Sequence, residues 1–197
     1  MNRALCAQGV CVAVFGMATG VASAISSYQI DNFESGDRAN WANGPSSPNQ
    51  PFTVEEDGNV FVRNNSTGTS GPGSRMVLFN RAQWSGNYNA AGVTALTMDL
   101  RNSGETDLYI RLGLLGQTGT RTATNDVIEL AAGSDWTTMT FNILDLTVIV
   151  GEEPISSVLS GVLELRILSA EEVDYQADNI AGTLDVDNIR TGIPAPG

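Results

Sequence analysis

Apolar residues in this chain come in short alternating runs rather than in helical stripes. The clearest are Thr97-Met98-Asp99-Leu100-Arg101 and Leu108-Tyr109-Ile110-Arg111-Leu112. In the second, a period of two puts Leu108, Ile110 and Leu112 on one face and Tyr109 and Arg111 on the other. Comparable runs, rich in β-branched or aromatic residues and bounded by Gly, Asn, Ser or Pro, predict further strands. The full set lies near Tyr28–Glu34, Asn59–Asn64, Arg75–Asn80, Ala95–Arg101, Leu108–Leu114, Asp126–Leu130, Thr137–Asn142, Val162–Leu168 and Gly182–Ile189. Pro154 to Ser160 is expected to form a single helical turn with the proline at its start. Gly44–Pro51 and Ser66–Gly73 read as loops, and Ala170–Ala181 as an acidic one. Roughly nine short strands at this spacing predict an all-β domain, an antiparallel β-sandwich of the jelly-roll kind.

The N-terminal stretch follows a different pattern. Arg3 supplies a positive start, Ala4 to Val21 is largely apolar, and Ala22-Ser23-Ala24 has the small-x-small form of a leader cleavage site. The expected organisation is therefore a signal peptide over 1–24, a sandwich domain over 25–192 and a short tail over 193–197, with the mature protein secreted. No second apolar run approaches the ~18 residues that span a bilayer, so membrane insertion of the mature chain is not expected. Cys6 and Cys11 both lie in the leader. The remaining chain of about 173 residues is long enough for one well-packed core and has no thiol to cross-link it.

Charge narrows the chemistry. All ten basic residues are Arg, there is no His, and the formal net charge is −12. Loss of the leader removes Arg3 and no acid, which takes the charge to −13. Such a surface repels nucleic acid and anionic lipid and attracts divalent cations. Without His there is no His-based triad, general base or metal site, and oxygen-liganded calcium becomes the natural metal candidate.

Two segments set carboxylates among apolar residues in strand-like contexts: Asp31-Asn32-Phe33-Glu34-Ser35-Gly36 and Asp185-Val186-Asp187-Asn188-Ile189. An unpaired buried charge costs several kcal/mol, which a hard cation would offset while joining the first strand to the last. Strand parity puts Asp185, Asp187 and Ile189 on one face and Leu184 and Val186 on the other, so Asp187 needs a partner. That partner is a calcium ion, an arginine or a backbone N–H; the remaining alternative is a solvated carboxylate. Asp31, Asp37 and Asp185 stand behind it as further candidate ligands.

Three aromatic residues are candidate sugar-stacking groups: Trp41 after the first strand, and Trp84 and Tyr88 around a Gly-Asn turn. The alternative for each is packing, with its polar atom reaching a partner. Trp136 precedes an alternating strand and reads as packing. The pairs Glu55-Glu56, Glu152-Glu153 and Glu171-Glu172 do not make a glycosidase. Neighbours on a strand face opposite ways, whereas hydrolysis needs two carboxyls about 5–9 Å apart across a cleft. No catalytic residues are assigned.

The two end segments together resemble the galactose-binding-like jelly roll used by many carbohydrate-binding modules. Such modules often open Asn-Gly-Asp-Phe-Glu-x-Gly, followed shortly by Trp, as Asp31–Gly36 and Trp41 do here. They often close on an apolar residue, Asp, Asp or Asn, and another apolar residue, as in Val186-Asp187-Asn188-Ile189. The usual Gly-Asp of the opening is Asp31-Asn32 in this chain. The resemblance implies a structural calcium held by Glu34 and Asp187. The stretch from Trp84-Ser85-Gly86-Asn87-Tyr88 to Asp99-Leu100-Arg101-Asn102 is similar to a group of secreted bacterial proteins, with a fainter likeness to laminin domain IV. Many of that group end in an exosortase-sorting (PEP-CTERM) tail. Ile193-Pro194-Ala195-Pro196-Gly197 looks like the start of one, without its apolar helix and Arg cluster, and the expectation is a released protein. The reading of function is a secreted, non-catalytic carbohydrate-binding domain with structural calcium and a polysaccharide partner. Its alternative is an extracellular matrix or cell-surface structural protein acting by self-association.

Overall fold

The computed structural model describes residues 24–192, so most of the expected leader and the tail from Ile193 lie outside the described residues. Twelve strands and one helical turn follow in order. They are β1 (Ile30–Asp31), β2 (Phe52–Glu56), β3 (Asn59–Thr67), β4 (Val77–Asn80), β5 (Ala95–Asn102), β6 (Leu108–Leu115) and β7 (Arg121–Thr124). After these come β8 (Ile128–Leu130), β9 (Thr137–Asn142), β10 (Leu146–Val150), α1 (Ile155–Leu159), β11 (Glu164–Ser169) and β12 (Ala181–Gly192). All pairings are antiparallel. Sheet A has the order β2-β3-β12-β5-β9 with β1 beside β12, and sheet B has β10-β7-β6-β11-β4 with β8 beside β6. The result is a jelly-roll sandwich, as the alternation predicts.

The strands form where period-two sequence can bury one face. Leu96, Met98 and Leu100 of β5 face Leu108, Ile110, Leu112 and Leu114 of β6 across one core with Leu165, Ile167, Leu184 and Val186. Each such side chain contributes about 1.5–3 kcal/mol on leaving water. Pro154 caps α1 with extended geometry, φ −64° and ψ 148°, so the expected helical turn is present.

The sequence pattern does not reveal β2, β7 and β10. In β2 Glu55 and Glu56 hide the alternation of an edge strand. In β7 the core positions are Thr122 and Thr124, whose hydroxyls bond locally: Thr124 Oγ1 donates to Asp126 O and accepts from Leu112 N. β10 is a second edge strand.

The parity expected for the last strand needs one correction. Pairing with β5 runs Asp187 to Asp99 and resumes Arg190 to Thr97, a bulge centred on Asn188 at φ 49°. The extra residue turns Ile189 back to the core, where it is 1% exposed, so only Asp185 and Asp187 point outward.

Candidate functional site

Trp41, Trp84 and Tyr88 are all 0% exposed and cannot offer a ring to a sugar. Trp41 Nε1 and Trp84 Nε1 donate to the same oxygen, Asp31 Oδ2, at 2.8 and 2.7 Å, and Gln83 Nε2 adds a third bond at 2.9 Å. The Tyr88 hydroxyl donates to Trp84 O, and burial pushes its pKa up. Gly86, next to them at φ 124°, packs so tightly that an added Cβ would meet Ala24 Cβ at 3.1 Å. A Trp beside a Gly-Asn turn reads as exposed in sequence; here the turn packs against the N-terminal segment at Ala24 and Ile25, whose N–H donates to Ser85 O. These aromatics are packing residues, and Asp31 Oδ2 is the acceptor for both indoles.

Asp185 is likewise taken. On the outer face of sheet A, β3 and β5 flank β12 and bring Arg63 and Arg101 to a carboxylate that is 0% exposed. Arg63 donates to both oxygens at 2.7 and 2.9 Å, and Arg101 Nε to Oδ2 at 2.9 Å. Arg101 also pairs with Glu56 at 2.7 Å and lies 4.9 and 4.8 Å from the Phe61 and Trp136 rings. Asp37 is committed to a turn, its Oδ1 accepting Ala39 N.

Asp187 has different neighbours. It is 2% exposed and accepts only amide donors: Asn188 N at 2.7 Å, Asn59 Nδ2 at 3.1 Å and Asn188 Nδ2 at 3.3 Å. Burial raises its pKa, with the Asp99 and Glu34 carboxylates adding to the rise against the opposing amide hydrogen bonds. Glu34 is exposed and accepts Val60 N at 3.4 Å. Asn59, Asp99, Trp136, Thr137, Thr138, Asp187 and Asn188 enclose a pocket of about 290 Å³ here. Among the described residues, no three acidic, His or Cys side chains converge as a metal-ligating group. The donors that fit a hard cation at this place are the Asp187 carboxylate, with Glu34 and Asp99 within electrostatic reach.

The outer face of sheet B carries a row of another kind. Register aligns Phe79 of β4, Arg166 of β11, Gly113 of β6, Ala123 of β7 and Thr147 of β10 across the sheet. Gly113 and Ala123 leave a low floor between taller side chains. Tyr175, from the loop before β12, lies over that floor; a Cβ on Gly113 would stand 3.0 Å from its ring. Its hydroxyl donates to Glu164 Oε1 at 2.7 Å, Arg166 donates to the same oxygen at 2.5 Å, and Arg81 pairs with Oε2. Burial works against the Glu164 charge, and the Tyr175, Arg166 and Arg81 bonds outweigh it to hold the pKa below the usual range. The Arg166 guanidinium stacks 4.0 Å from the Tyr175 ring, and Arg81 4.9 Å from that of Phe79. On one side a pocket of about 340 Å³ is lined by Arg121, Arg166, Asp174, Tyr175 and Gln176, among others. Beyond Phe79 a second, of about 410 Å³, is lined by Arg38, Ala42, Pro45, Gln50, Phe79 and Arg81, among others.

Sequence reading did not pick out Phe79, Arg81, Arg166 or Tyr175. One signal was present: a glycine at an outward position of an apolar strand marks a close approach. Among the described residues, no helix is long and apolar enough to cross a membrane.

No family model and no curated protein matches the chain. Solved structures do match in fold, among them carbohydrate-binding modules and agarases. The family 11 module from Clostridium thermocellum, in complex with a β-1,3-1,4-mixed-linked tetrasaccharide, aligns at TM-score 0.56 and 16% identity over 85% of this chain and 97% of that one. A family 28 module specific for non-crystalline cellulose aligns at TM-score 0.53 and 15% identity over 86% and 98%. An exo-β-agarase aligns at TM-score 0.57 and 13% identity over 87% of this chain, which spans 25% of the enzyme. At these identities the likeness defines the fold.

Proposed function

We propose that this protein is an exported carbohydrate-binding domain that holds a polysaccharide across the outer face of sheet B. The observation that carries the reading is the two pockets on this face, one beside the Arg166-stacked Tyr175 ring and one beside the Arg81-stacked Phe79 ring, in a fold shared with carbohydrate-binding modules. A half-buried Phe79 ring suits a sugar C–H face. Arg121, Arg166, Asp174 and Gln176 suit hydroxyls, which need both donors and acceptors. The reading is of binding without catalysis: Glu164 is held ionised by its neighbours, the reverse of the raised pKa that a glycosidase acid requires.

The proposal includes a structural calcium ion at Asp187, with Glu34 and Asp99 as the nearby acids. A buried carboxylate facing two like charges and no arginine is the arrangement that a hard, oxygen-seeking cation relieves. When bound, the ion would neutralise these charges and tie β12 to the segment after β1.

The test is retention on mixed-linked glucan, non-crystalline cellulose and agarose. Phe79→Ala and Arg121→Ala should each weaken retention by about tenfold or more, the loss of a ring or a charged donor, with circular dichroism unchanged. No retention of the native protein on any of the three, or variants that bind equally well, overturns the assignment.

A further inference from the structure

Two aromatic rings are accessible on the face of the sandwich opposite sheet B. Phe52 of β2 pairs with Arg63 of β3, and Arg63 pairs with Asp185 of β12, whose side chain points outward. Cross-strand partners share a face, so Phe52 projects from the outer face of sheet A, where it is 47% exposed. At the opposite edge, Trp136 precedes β9 and is half-buried, its ring 5.1 Å from that of Phe61 and 4.8 Å from the Arg101 guanidinium. One row therefore runs Phe52, Arg63, Asp185, Arg101, Trp136 across the sheet. At about 4.8 Å per strand, the two rings stand about 19 Å apart.

The ground between and beside the rings suits a sugar chain. Asp185 and Phe61 are 0% exposed beneath Arg63 and Arg101, so the middle of the row presents guanidinium edges over a covered carboxylate. Each ring also lines a pocket. Beside Trp136 the pocket of about 290 Å³ holds Asn59, Asp99, Thr137 and Thr138; beside Phe52 one of about 430 Å³ holds Ser35, Asp37, Arg38 and Thr53. Both set hydroxyl, amide or guanidinium donors and carboxylate acceptors next to an apolar ring, the combination that a sugar's C–H face and hydroxyls require.

The charges choose between kinds of polysaccharide. The arginines of the row are already paired, Arg63 with Asp185 and Arg101 with Asp185 and Glu56. Asp37 and Asp99 line the two pockets, with Asp187 beside Asp99. An anionic chain would meet carboxylates at both ends of the row, whereas a neutral one meets acceptors for its hydroxyls.

We infer that the outer face of sheet A is a second saccharide platform, specific for a neutral polysaccharide lying across the strands, and that the protein cross-links such chains. The outer faces of a sandwich point in opposite directions, so one domain holding a chain on each face bridges the two. The inference rests on the carbohydrate-binding reading and uses no residue of the sheet B site.

Titration with a short mixed-linked glucan oligosaccharide counts the sites, and light scattering with the long glucan reads the bridging. Two equivalents per protein chain are expected. Phe52→Ala, at an exposed edge position, and Trp136→Ala should each weaken one equivalent by about tenfold or more and leave the other; Phe79→Ala should weaken only the equivalent on sheet B. Native protein should raise the scattering of long glucan to a maximum at an intermediate ratio, while each variant binds the polymer without bridging it. In the Phe79→Ala protein, the remaining site should bind carboxymethylated glucan about tenfold or more weaker than glucan itself. Phe52→Ala and Trp136→Ala proteins that bind as the native one does, two equivalents without bridging, or equal binding of the carboxymethylated chain overturns the inference. A single equivalent weakened only by Phe79→Ala removes this platform and leaves the sheet B site. A single equivalent weakened only by Phe52→Ala and Trp136→Ala removes the sheet B site and the bridging, and leaves the platform.

Discussion

The outer faces of the two sheets carry the same motif and diverge around it. On sheet A, Asp185 is held by Arg63 and Arg101; on sheet B, Glu164 is held by Arg81 and Arg166. Both carboxylates are 0% exposed, and both arginine pairs rest on aromatic rings. Next to Asp185, the strand goes on to Asp187, which meets amides and like charges. Next to Glu164, the sheet drops to Gly113 and Ala123. The matched acids are therefore structural pins on both faces, and what differs is what each pin leaves beside it. Sheet A leaves an uncompensated charge, and sheet B leaves a floor of small residues that the Tyr175 ring covers, with a pocket beside it.

Breaking the pins should show their unequal depth. Asp185→Ala strands two arginines at the centre of sheet A, and urea unfolding should show a loss of about 3–5 kcal/mol. Glu164→Gln should cost less, about 1–3 kcal/mol, because the Arg81 side chain is 61% exposed and can rehydrate. Equal losses would mean that the two pins are alike in depth.

Asp187→Asn sharpens the other side of the comparison and carries the smallest effect. Because its folded pKa is raised, the native state binds a proton more readily than the unfolded chain. Without a cation, its contribution is therefore most favourable below the ordinary value of 3.8 and is lost as pH climbs through the raised one. In chelator at neutral pH, Asp187→Asn should melt slightly above the native protein. Millimolar calcium should raise the melting temperature of the native protein by mass action and leave the variant unmoved. A native protein indifferent to calcium would remove the ion from the proposal.

Much of this architecture is legible in the chain. The nine expected strands all occur, because alternation such as Leu96-Met98-Leu100 against Thr97-Asp99-Arg101 is itself the signature of a half-buried strand. Edge strands such as β2 escape because acids are tolerated where water covers one side. The demand on Asp187 was visible in its apolar neighbours, but its partners were not: Asn59 is 128 residues away in sequence. The aromatics misled for the same reason. Nothing local to Trp84 announces Asp31, 53 residues earlier, and only closure of the sandwich brings them together. The pockets on sheet B were least legible, since the loop that carries Tyr175 docks over two residues with almost no side chain.

The oxygen shared by Trp41, Trp84 and Gln83 has a further consequence. β1 is two residues long, so backbone pairing alone holds the start of the domain weakly. Asp31 acts in place of a covalent staple, gathering three distant donors at a single point. A clasp of this type has no sulfur to reduce, and residues 24–192 contain no cysteine. The domain therefore keeps its closure in oxidising and reducing surroundings alike.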